Sequence, residues 1–315
     1  MRYNLNAGWG PRVVDRLATN KAGKVFIVGK ADLANREMYQ ELFITDNDGE
    51  DRFFATVDAA FASCTASAGD TIYVLPGHTE TVTATSIAHD VAGVSVIGLG
   101  EGTMRPTFTF GAAAATITIT GANGSWENCH FVANFDNVAS AFTIGAAVNF
   151  RLENNTFFDT TNALHFYSIV TTGATDNEAD GLVVRGNNWE SKALAALAFV
   201  SILAAEKNVV VENNDAFMLA TNDVGHFITL AAKIMTNIII RNNSCIVVGA
   251  SNASVGVFLT GSGSTSTGLV SDNVCSSLDT TTELMFTAST GLKFFRNLYT
   301  GVADASGKLL PAIDA

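Results

Sequence analysis

The chain is poor in charged residues, in proline and above all in basic residues. Of its 315 residues, 15% are charged and 4 are proline, and 18 Lys and Arg stand against 30 Asp and Glu, a net charge of -12. Such an acidic chain is repelled by a phosphate backbone, so we expect no nucleic-acid partner. Since 48% of the residues are hydrophobic, the composition excludes a disordered chain and allows a large core. Length alone leaves one domain or two open.

Long apolar runs are also missing. The longest, Leu194 to Ala205, has 12 residues, whereas about 20 are needed to cross a bilayer. We therefore expect no membrane-spanning helix and no membrane partner. The beginning of the chain, MRYNLNAGWGPRVVDR, has no apolar stretch of the secretory-signal type, which predicts synthesis in a cytoplasm rather than export by that route.

Cysteine and histidine are few and scattered. Four cysteines in a chain of this length predict neither a disulfide framework nor a CxxC metal site, and we expect reduced, mostly buried thiols. The five histidines include no HxxxH pair and no evident Ser or Cys partner. The cysteines are Cys64, Cys129, Cys245 and Cys275, and the histidines are His78, His89, His130, His165 and His226.

The carboxylates do not indicate a reaction either. The segment TDNDGED (45–51) lacks the first and last ligands of an EF-hand loop and is interpreted as a solvated turn. Asp176, Glu178 and Asp180 form the best remaining cluster, for which a surface loop and a weak calcium site are both open. Paired carboxylates of the glycoside-hydrolase kind are not apparent. The sequence thus predicts no catalytic, metal or cofactor-binding residue and no cofactor, and we expect a protein that is not an enzyme.

From about residue 120 onward the chain repeats a short phrase. Seven copies align without gaps, and successive anchor residues are 26, 32, 27, 29, 30 and 24 residues apart. A period this variable is atypical of helical repeats and suits coils of strands, whose turns absorb insertions. The copies are NGSWENCHF, NFRLENNTF, GLVVRGNNW, NVVVENNDA, NIIIRNNSC, TGLVSDNVC and GLKFFRNLY, anchored at Cys129, Asn155, Asn187, Asn214, Asn243, Asn273 and Asn297.

Residues around each anchor alternate in character. Apolar side chains stand three and five residues before the anchor and two after it, which places them on one face of a bent strand pair. Six anchors are Asn, a residue that tolerates the left-handed backbone of a tight bend and can hydrogen-bond from coil to coil. The pattern predicts a structural Asn ladder through Asn155, Asn187, Asn214, Asn243, Asn273 and Asn297.

A second apolar strand lies between successive copies, from AFTI (141–144) to ELMF (283–286), so each coil carries at least two strands. Coils of this kind resemble the right-handed parallel β-helix of the pectate-lyase type, and GDTIYVLPGHTETV (69–82) followed by GVSVIGLGEG (93–102) looks like the opening coils of that superfamily. A β-sandwich with coincidental Asn spacing is the alternative. The expected fold class is all-β, a parallel β-helix solenoid with an N-terminal capping helix and a non-repetitive N-terminal arm.

The predicted segments are an arm or attachment segment at 1–52, a β-helix body at 53–300 and a tail at 301–315. Thr56 can cap a helix at 56–64 with a one-sided apolar stripe. Such a helix would cover the open end of the stack, where strands expose unpaired main-chain groups.

Two columns of the repeat face outward. Two residues before the anchor, acidic and basic residues alternate and predict a ladder of solvated ion pairs. Four residues before it, four consecutive coils carry an aliphatic side chain, and a stripe of this kind is typically covered, either by the chain's own insertions or by another subunit. We favour a subunit interface, with a homotrimer as the hypothesis. The alternating residues are Glu153, Arg185, Glu212 and Arg241, and the aliphatic ones are Val183, Val210, Ile239 and Leu269.

Charge is distributed unevenly along the chain. Residues 1–40 hold seven basic and three acidic residues, a balance of +4, which leaves -16 for the rest. Such an arm can dock on an acidic partner or fold back along its own acidic body, and both remain open. The candidate contact residues are Arg2, Trp9, Arg12 and Arg16.

The phrase FFATVDAAFASCTASAGDTIYVLPGHTETV (53–82), the Asn-anchored coils up to residue 299 and the high Ala, Gly, Thr and Ser content resemble the β-helical structural proteins of tailed bacteriophages. The resemblance implies trimers or multiple copies on a particle, with the major capsid protein and the chain itself as partners and the virion, assembled in the host cytoplasm, as location. It supplies no catalytic residue. The first hypothesis is a non-enzymatic protein that decorates or cements the capsid.

The alternative is a tail spike or fibre that binds or cleaves host polysaccharide. It predicts a groove in which aromatic and carboxylate side chains stand together, and glycan binding has no other support in the sequence. Only GVADASGKLLPAIDA (301–315) follows the last coil, which favours decoration over a spike.

Overall fold

A computed structural model describes residues 23–32, 52–84, 86–192, 198–218, 226–231, 233–247, 256–261, 265–277, 284–286, 291–300 and 308–310. Over these residues the chain is an all-β solenoid of three parallel sheets and about eight turns. The predicted parallel β-helix is therefore confirmed, and the β-sandwich is excluded. Each full coil contributes three strands rather than the minimum of two.

We call the sheets A, B and C in the order in which the chain passes through each coil. Within the described residues they hold 11, 10 and 8 strands. Sheet A comprises, in spatial order, Phe53–Phe54, Val25–Val28, Thr71–Val74, Ser95–Gly98, Ser125–Glu127, Arg151–Glu153, Val183–Arg185, Val210–Glu212, Ile238–Arg241, Gly268–Ser271 and Leu292–Phe295.

Sheets B and C follow the same coil order. Pairing is parallel throughout except for the last strand of sheet B, which is antiparallel to its neighbour. Sheet B comprises Thr79–Val82, Thr107–Phe110, His130–Ala133, Thr156–Asp159, Asn188–Ser191, Asp215–Met218, Ser244–Val247, Val274–Ser277, Asn297–Thr300 and Lys308–Leu310. Sheet C comprises Ala88–His89, Ile117–Ile119, Phe142–Ile144, Ser168–Thr172, Ala198–Ile202, His226–Leu230, Gly256–Thr260 and Leu284–Phe286.

Part of the segment assigned from sequence to the arm belongs to this stack. Val25–Val28 pairs in register with Thr71–Val74 and also with Phe53–Phe54, so sheet A begins before residue 53. The physical reason is the apolar run VFIV, of which three side chains are buried and which covers the edge of Thr71–Val74.

The capping helix is present and shorter than predicted. It spans Val57–Phe61, and the Thr56 hydroxyl accepts a hydrogen bond from Ala59 N at 3.3 Å. Asp58 Oδ1 accepts a hydrogen bond from Ala88 N, in the first strand of sheet C, at 3.1 Å. The helix thus satisfies a main-chain donor at the edge of the stack.

The interior is filled by stacked apolar side chains. The rings of Phe108, Phe131 and Phe157 stack at centroid distances of 5.5 and 5.1 Å along sheet B. Farther along, Phe199, Phe227 and Phe258 do the same along sheet C, at 5.1 and 5.0 Å. The columns predicted to face inward are buried, because in-register pairing gives every coil the same inward positions.

The bend from sheet A to sheet B carries the Asn ladder. Asn187 Oδ1 accepts hydrogen bonds from Asn155 N and Nδ2 at 3.0 and 3.2 Å, while its Nδ2 donates to Leu152 O at 2.8 Å and to Asn214 Oδ1 at 3.1 Å. The pattern repeats up to Asn297, and each anchor Asn is at most 2% exposed. Each side-chain amide therefore satisfies the polar groups of a bend that would otherwise be buried without partners.

The sequence predicted a left-handed backbone at the anchor. In the structure the left-handed residue of the bend is instead the residue before the anchor. In all seven copies this residue has a positive φ, between 49° and 65°. The anchor itself does not have a positive φ, and its amide hydrogen-bonds to the anchor of the next coil. The left-handed residues are Asn128, Asn154, Gly186, Asn213, Asn242, Asp272 and Arg296.

A second turn, which enters sheet A, also uses left-handed residues. Asn149 Nδ2 donates to Asn123 Oδ1 at 3.0 Å, and Asn237 Nδ2 donates to Asn208 Oδ1 at 2.8 Å. These four residues have φ values of 57° to 58°. Sequence reasoning missed this exposed ladder, although its signal was the Asn or Gly that opens six of the seven copies of the repeated phrase.

Replacing Asn187 by Ala should destabilise the fold by about 3 kcal/mol, because it leaves the buried Asn155 N–H and Leu152 carbonyl without partners. Urea unfolding followed by circular dichroism measures the effect. The matched control is Asn188→Ala, since Asn188 is the next residue and is exposed, and the expected change there is below about 0.5 kcal/mol. Equal effects of the two substitutions would contradict a stabilising role of the ladder.

Candidate functional site

An aliphatic row runs along the outer face of sheet A. Val183, Val210, Ile239 and Leu269 pair in register across four consecutive coils. The first three are half-buried and Leu269 is 40% exposed. The row faces outward as predicted, because residues inside and outside alternate along each strand. We call these four residues the aliphatic row.

Ion pairs flank the aliphatic row on the same face. Arg185 bridges Glu153 at 3.2 Å and Glu212 at 2.5 Å, and Arg241 contacts the other oxygen of Glu212 at 2.6 Å. Arg151 adds a contact to Glu153 at 2.8 Å. The alternating ladder predicted from sequence is thus present, and we call these five residues the charge ladder.

The charge ladder is less solvated than predicted. The side chains of Glu153 and Glu212 are 14% and 4% exposed, whereas those of the three arginines are 40% to 49% exposed. Burial works to raise the pKa of Glu212, but hydrogen bonds from Arg241 and Arg185 outweigh it, so the pKa is lowered and the carboxylate stays charged. The accessible part of the ladder is therefore cationic, in a chain that is acidic as a whole.

Together, the two rows form a surface suited to a macromolecular contact. Aliphatic side chains supply area whose removal from water is favourable, and guanidinium groups keep free N–H donors for carboxylates of a partner. The regular pitch of about 4.8 Å between coils makes the surface linear and rigid.

Sheet B presents a second outward row that sequence reasoning missed. Phe158, Glu190, Phe217 and Ile246 pair in register on neighbouring strands, and Phe217 is 42% exposed. Lys192 Nζ lies 4.1 Å from the centroid of the Phe158 ring. Aromatic and carboxylate side chains do stand together here, at the position three residues after each anchor. The signal was available in TFF, NWE and DAF.

The histidines are dispersed, as expected, and each has its own environment. His78 contacts Glu80 at 3.1 Å, and His89 Nδ1 accepts from Trp126 Nε1 at 3.1 Å. His130 lies 2.7 Å from the Thr156 hydroxyl, a partner that the sequence did not indicate. Burial and the nearby Arg105 lower the pKa of His130, so its imidazole is neutral at pH 7.

The acidic segment 176–180 is held by main-chain contacts between coils. Asp176 Oδ1 accepts from Ala205 N at 2.9 Å, and Asp180 Oδ1 accepts from Lys207 N at 2.7 Å. Glu206 Oε2 accepts in return from Ala179 N at 3.0 Å. Within the described residues, no group of three or more His, Cys, Asp or Glu side chains is arranged to hold a metal ion. The carboxylates of this cluster therefore link the segment 176–180 to the segment 205–207, which is its counterpart in the next coil.

Glu206 is the most perturbed member of that cluster. It is only 1% exposed and faces the carboxyl groups of Asp180 and Asp176. Burial raises its pKa to about 7, the neighbouring acidic groups add to the effect, and the hydrogen bond from Ala179 opposes it. Lys207 and Lys233 stand at the margin, 4.0 Å from Asp180 and 3.8 Å from Asp176.

Some predicted sites lie outside the described residues. These are the arm contacts Arg2, Trp9, Arg12 and Arg16 and the turn at 45–51. In the part of the chain that the structure covers, no helix is long and apolar enough to span a membrane.

No protein-family model matches the chain, and no curated protein matches its sequence.

The raised pKa of Glu206 predicts a pH-dependent stability. Because the folded protein holds this proton more tightly than the unfolded chain does, the contribution of Glu206 is fully present below pH about 4.5 and is lost as the pH rises to about 7. Glu206→Gln keeps the shape of the side chain but does not titrate, so its free energy of unfolding should fall less over this range. Urea unfolding at several pH values measures the difference.

Asp159, whose pKa is raised to about 6 mainly by burial, titrates in the same direction in both proteins and cancels in the comparison. Glu178→Gln, from the same acidic segment, is the matched control and should keep the wild-type slope. Parallel pH profiles for wild type and Glu206→Gln would contradict the assignment.

Proposed function

We propose that this protein is a non-enzymatic structural component of a tailed-bacteriophage particle, which decorates or cements the capsid as a homotrimer. The observation that carries the proposal is the aliphatic row beside the charge ladder on the outer face of sheet A. The resemblance of the repeat and of residues 53–82 to phage β-helical proteins suggests the kind of particle. The partners are then the major capsid protein and further copies of the chain, and the location is the virion.

The aliphatic row supports self-association. Apolar side chains in register over four coils form a continuous strip, and strips of this kind on soluble proteins mark contact surfaces. In the last described strand of sheet A the column of the aliphatic row ends at Lys293, and Phe295, which is 51% exposed, lies beside it in the column of the charge ladder. Three copies around a threefold axis would each bury this face, and closed symmetry would prevent open-ended association.

The solenoid itself supports a mechanical role. Its coils are joined by parallel pairing, by the Asn ladder and by stacked aromatic side chains, and the contact surface lies on strands rather than on loops. A rigid body of this type can span neighbouring subunits of a shell without needing a catalytic site. The basic residues of 1–40 remain the proposed attachment to an acidic shell surface.

Quantitative mass spectrometry of purified phage particles, separated into heads and tails, tests the function. We expect many copies on heads when peptides are counted against the major capsid protein. A few copies on tails would favour a spike or fibre, and complete absence from particles would overturn the proposal.

Ile239→Glu should separate assembly from folding. The side chain points outward, so the chain should still fold, but a carboxylate buried between subunits lacks a partner and should convert the trimer to monomers. Sedimentation velocity measures the change.

The matched control is Thr229→Glu, at a half-buried outward position on sheet C of the preceding coil, which should leave the trimer intact. Ile240→Asp, one residue away but fully buried, should instead prevent folding. A trimer that survives Ile239→Glu places the contact on another face.

A second candidate function is polysaccharide binding by a tail spike or fibre, and the outward row of sheet B favours it. Phe158 and Phe217 flank Glu190 at intervals of one strand each, an arrangement that can stack a sugar ring and hydrogen-bond its hydroxyls. Binding to bacterial surface polysaccharides that weakens in Phe217→Ala but not in Ile246→Ala would favour this function over decoration.

A further inference from the structure

Two of the four cysteines face each other inside the solenoid. Cys245 lies in Ser244–Val247 and Cys275 in Val274–Ser277, which are neighbouring parallel strands of sheet B. The two residues are register partners, point into the core and are 1% and 0% exposed. They occupy the inward column two residues after the anchor, between Ala216 and Tyr299.

This geometry is compatible with a covalent bond. Register partners on adjacent strands are separated by about 4.8 Å, inside the range of roughly 4.4 to 6.8 Å between Cα atoms of disulfides. The two thiols interact directly, and this contact is the first cause that raises the pKa of Cys245. Ala216, the neighbouring residue of the column on the other side, places only a methyl group beside Cys245.

The other two cysteines have different surroundings. Cys64 Sγ donates to Ala60 O at 3.3 Å, beyond the end of the capping helix, and Cys129 Sγ donates to Glu127 O at 3.5 Å, at the first bend. Each thiol is therefore paired with a backbone carbonyl. Only Cys245 and Cys275 are placed as a pair, which makes the other two internal controls.

We propose that Cys245 and Cys275 form an intrachain disulfide when the protein meets a diffusible two-electron oxidant such as hydrogen peroxide. One sulfur attacks a peroxide oxygen, the O–O bond breaks, and a sulfenic acid forms with release of hydroxide, which becomes water on taking up the displaced thiol proton. The second sulfur then displaces the sulfenic oxygen, which leaves as another water, and the S–S bond forms. Two thiols are oxidised and one peroxide is reduced to two waters.

The position of the two cysteines in the solenoid determines when the oxidation can occur and what the disulfide then does. In a stack where each coil contacts only its neighbours, terminal coils open at lower cost than central ones. The strand carrying Cys275 is followed in sheet B only by Asn297–Thr300 and Lys308–Leu310 among the described strands, so local opening admits a small oxidant. Once formed, the bond joins two coils 30 residues apart in sequence and resists fraying of this end.

Mass spectrometry of the full-length protein tests the proposal. The reduced, folded protein is incubated with hydrogen peroxide, free thiols are alkylated, and peptides are mapped without reduction. We expect loss of two hydrogen atoms per chain and a linked Cys245–Cys275 peptide, at a rate independent of protein concentration. A link only between chains, or sulfinic and sulfonic acids at these positions without the linked peptide, would overturn it.

The melting temperature and amide hydrogen exchange give a second readout. Oxidised wild type should melt several degrees higher than reduced protein, with slower amide exchange in Ser244–Val247 and Val274–Ser277, and dithiothreitol should reverse both. Cys64→Ala keeps the pair and should behave as wild type, whereas Cys275→Ala should show neither change. A linked peptide without any change in melting or exchange would overturn the stabilising role of the bond.

Discussion

In-register stacking of successive coils is the constraint on which the rest of this structure depends. Each interior strand of the three sheets pairs its main-chain groups with the strands before and after it, so each position of the repeat becomes a line along the solenoid. The bends are the weak points of such a stack, because their polar groups fall between sheets. The anchor Asn residues resolve this, since each side-chain amide accepts and donates between adjacent coils.

The same register creates the outer surfaces. A single outward position becomes a row of side chains at a fixed pitch, and its chemistry depends only on which residues successive coils place there. On sheet A this produces the aliphatic row and the charge ladder, in which buried carboxylates orient exposed guanidinium groups. On sheet B it produces alternating aromatic and acidic groups. A solenoid of this type can therefore carry two linear surfaces of different chemistry, which matches the two functions proposed.

Local departures from the regular repeat carry the remaining chemistry. Glu206 is buried against Asp180 because two connections between coils interlock through their carboxyl groups and main-chain donors. Cys245 and Cys275 meet because two coils place the same residue type in the same inward column. Both features couple one coil to the next, and neither involves the central aromatic stack.

The sequence by itself determined the solenoid, its inward columns and the Asn ladder, because these follow from a periodicity that local residue types express directly. Anchors such as Asn187 and inward residues such as Val184 could be identified without any knowledge of distant contacts. The aliphatic row could be assigned to the outer face for the same reason.

Only the tertiary structure decided those features that depend on the alignment of coils of unequal length. It moved the left-handed residue from Asn155 to Asn154, since only the path of the bend shows which residue turns. It incorporated Val25–Val28 into sheet A, because pairing with Thr71–Val74 joins segments that share no repeat. It also aligned Phe158, Glu190 and Phe217, which lie 32 and 27 residues apart in the chain and become neighbours only through the register of sheet B.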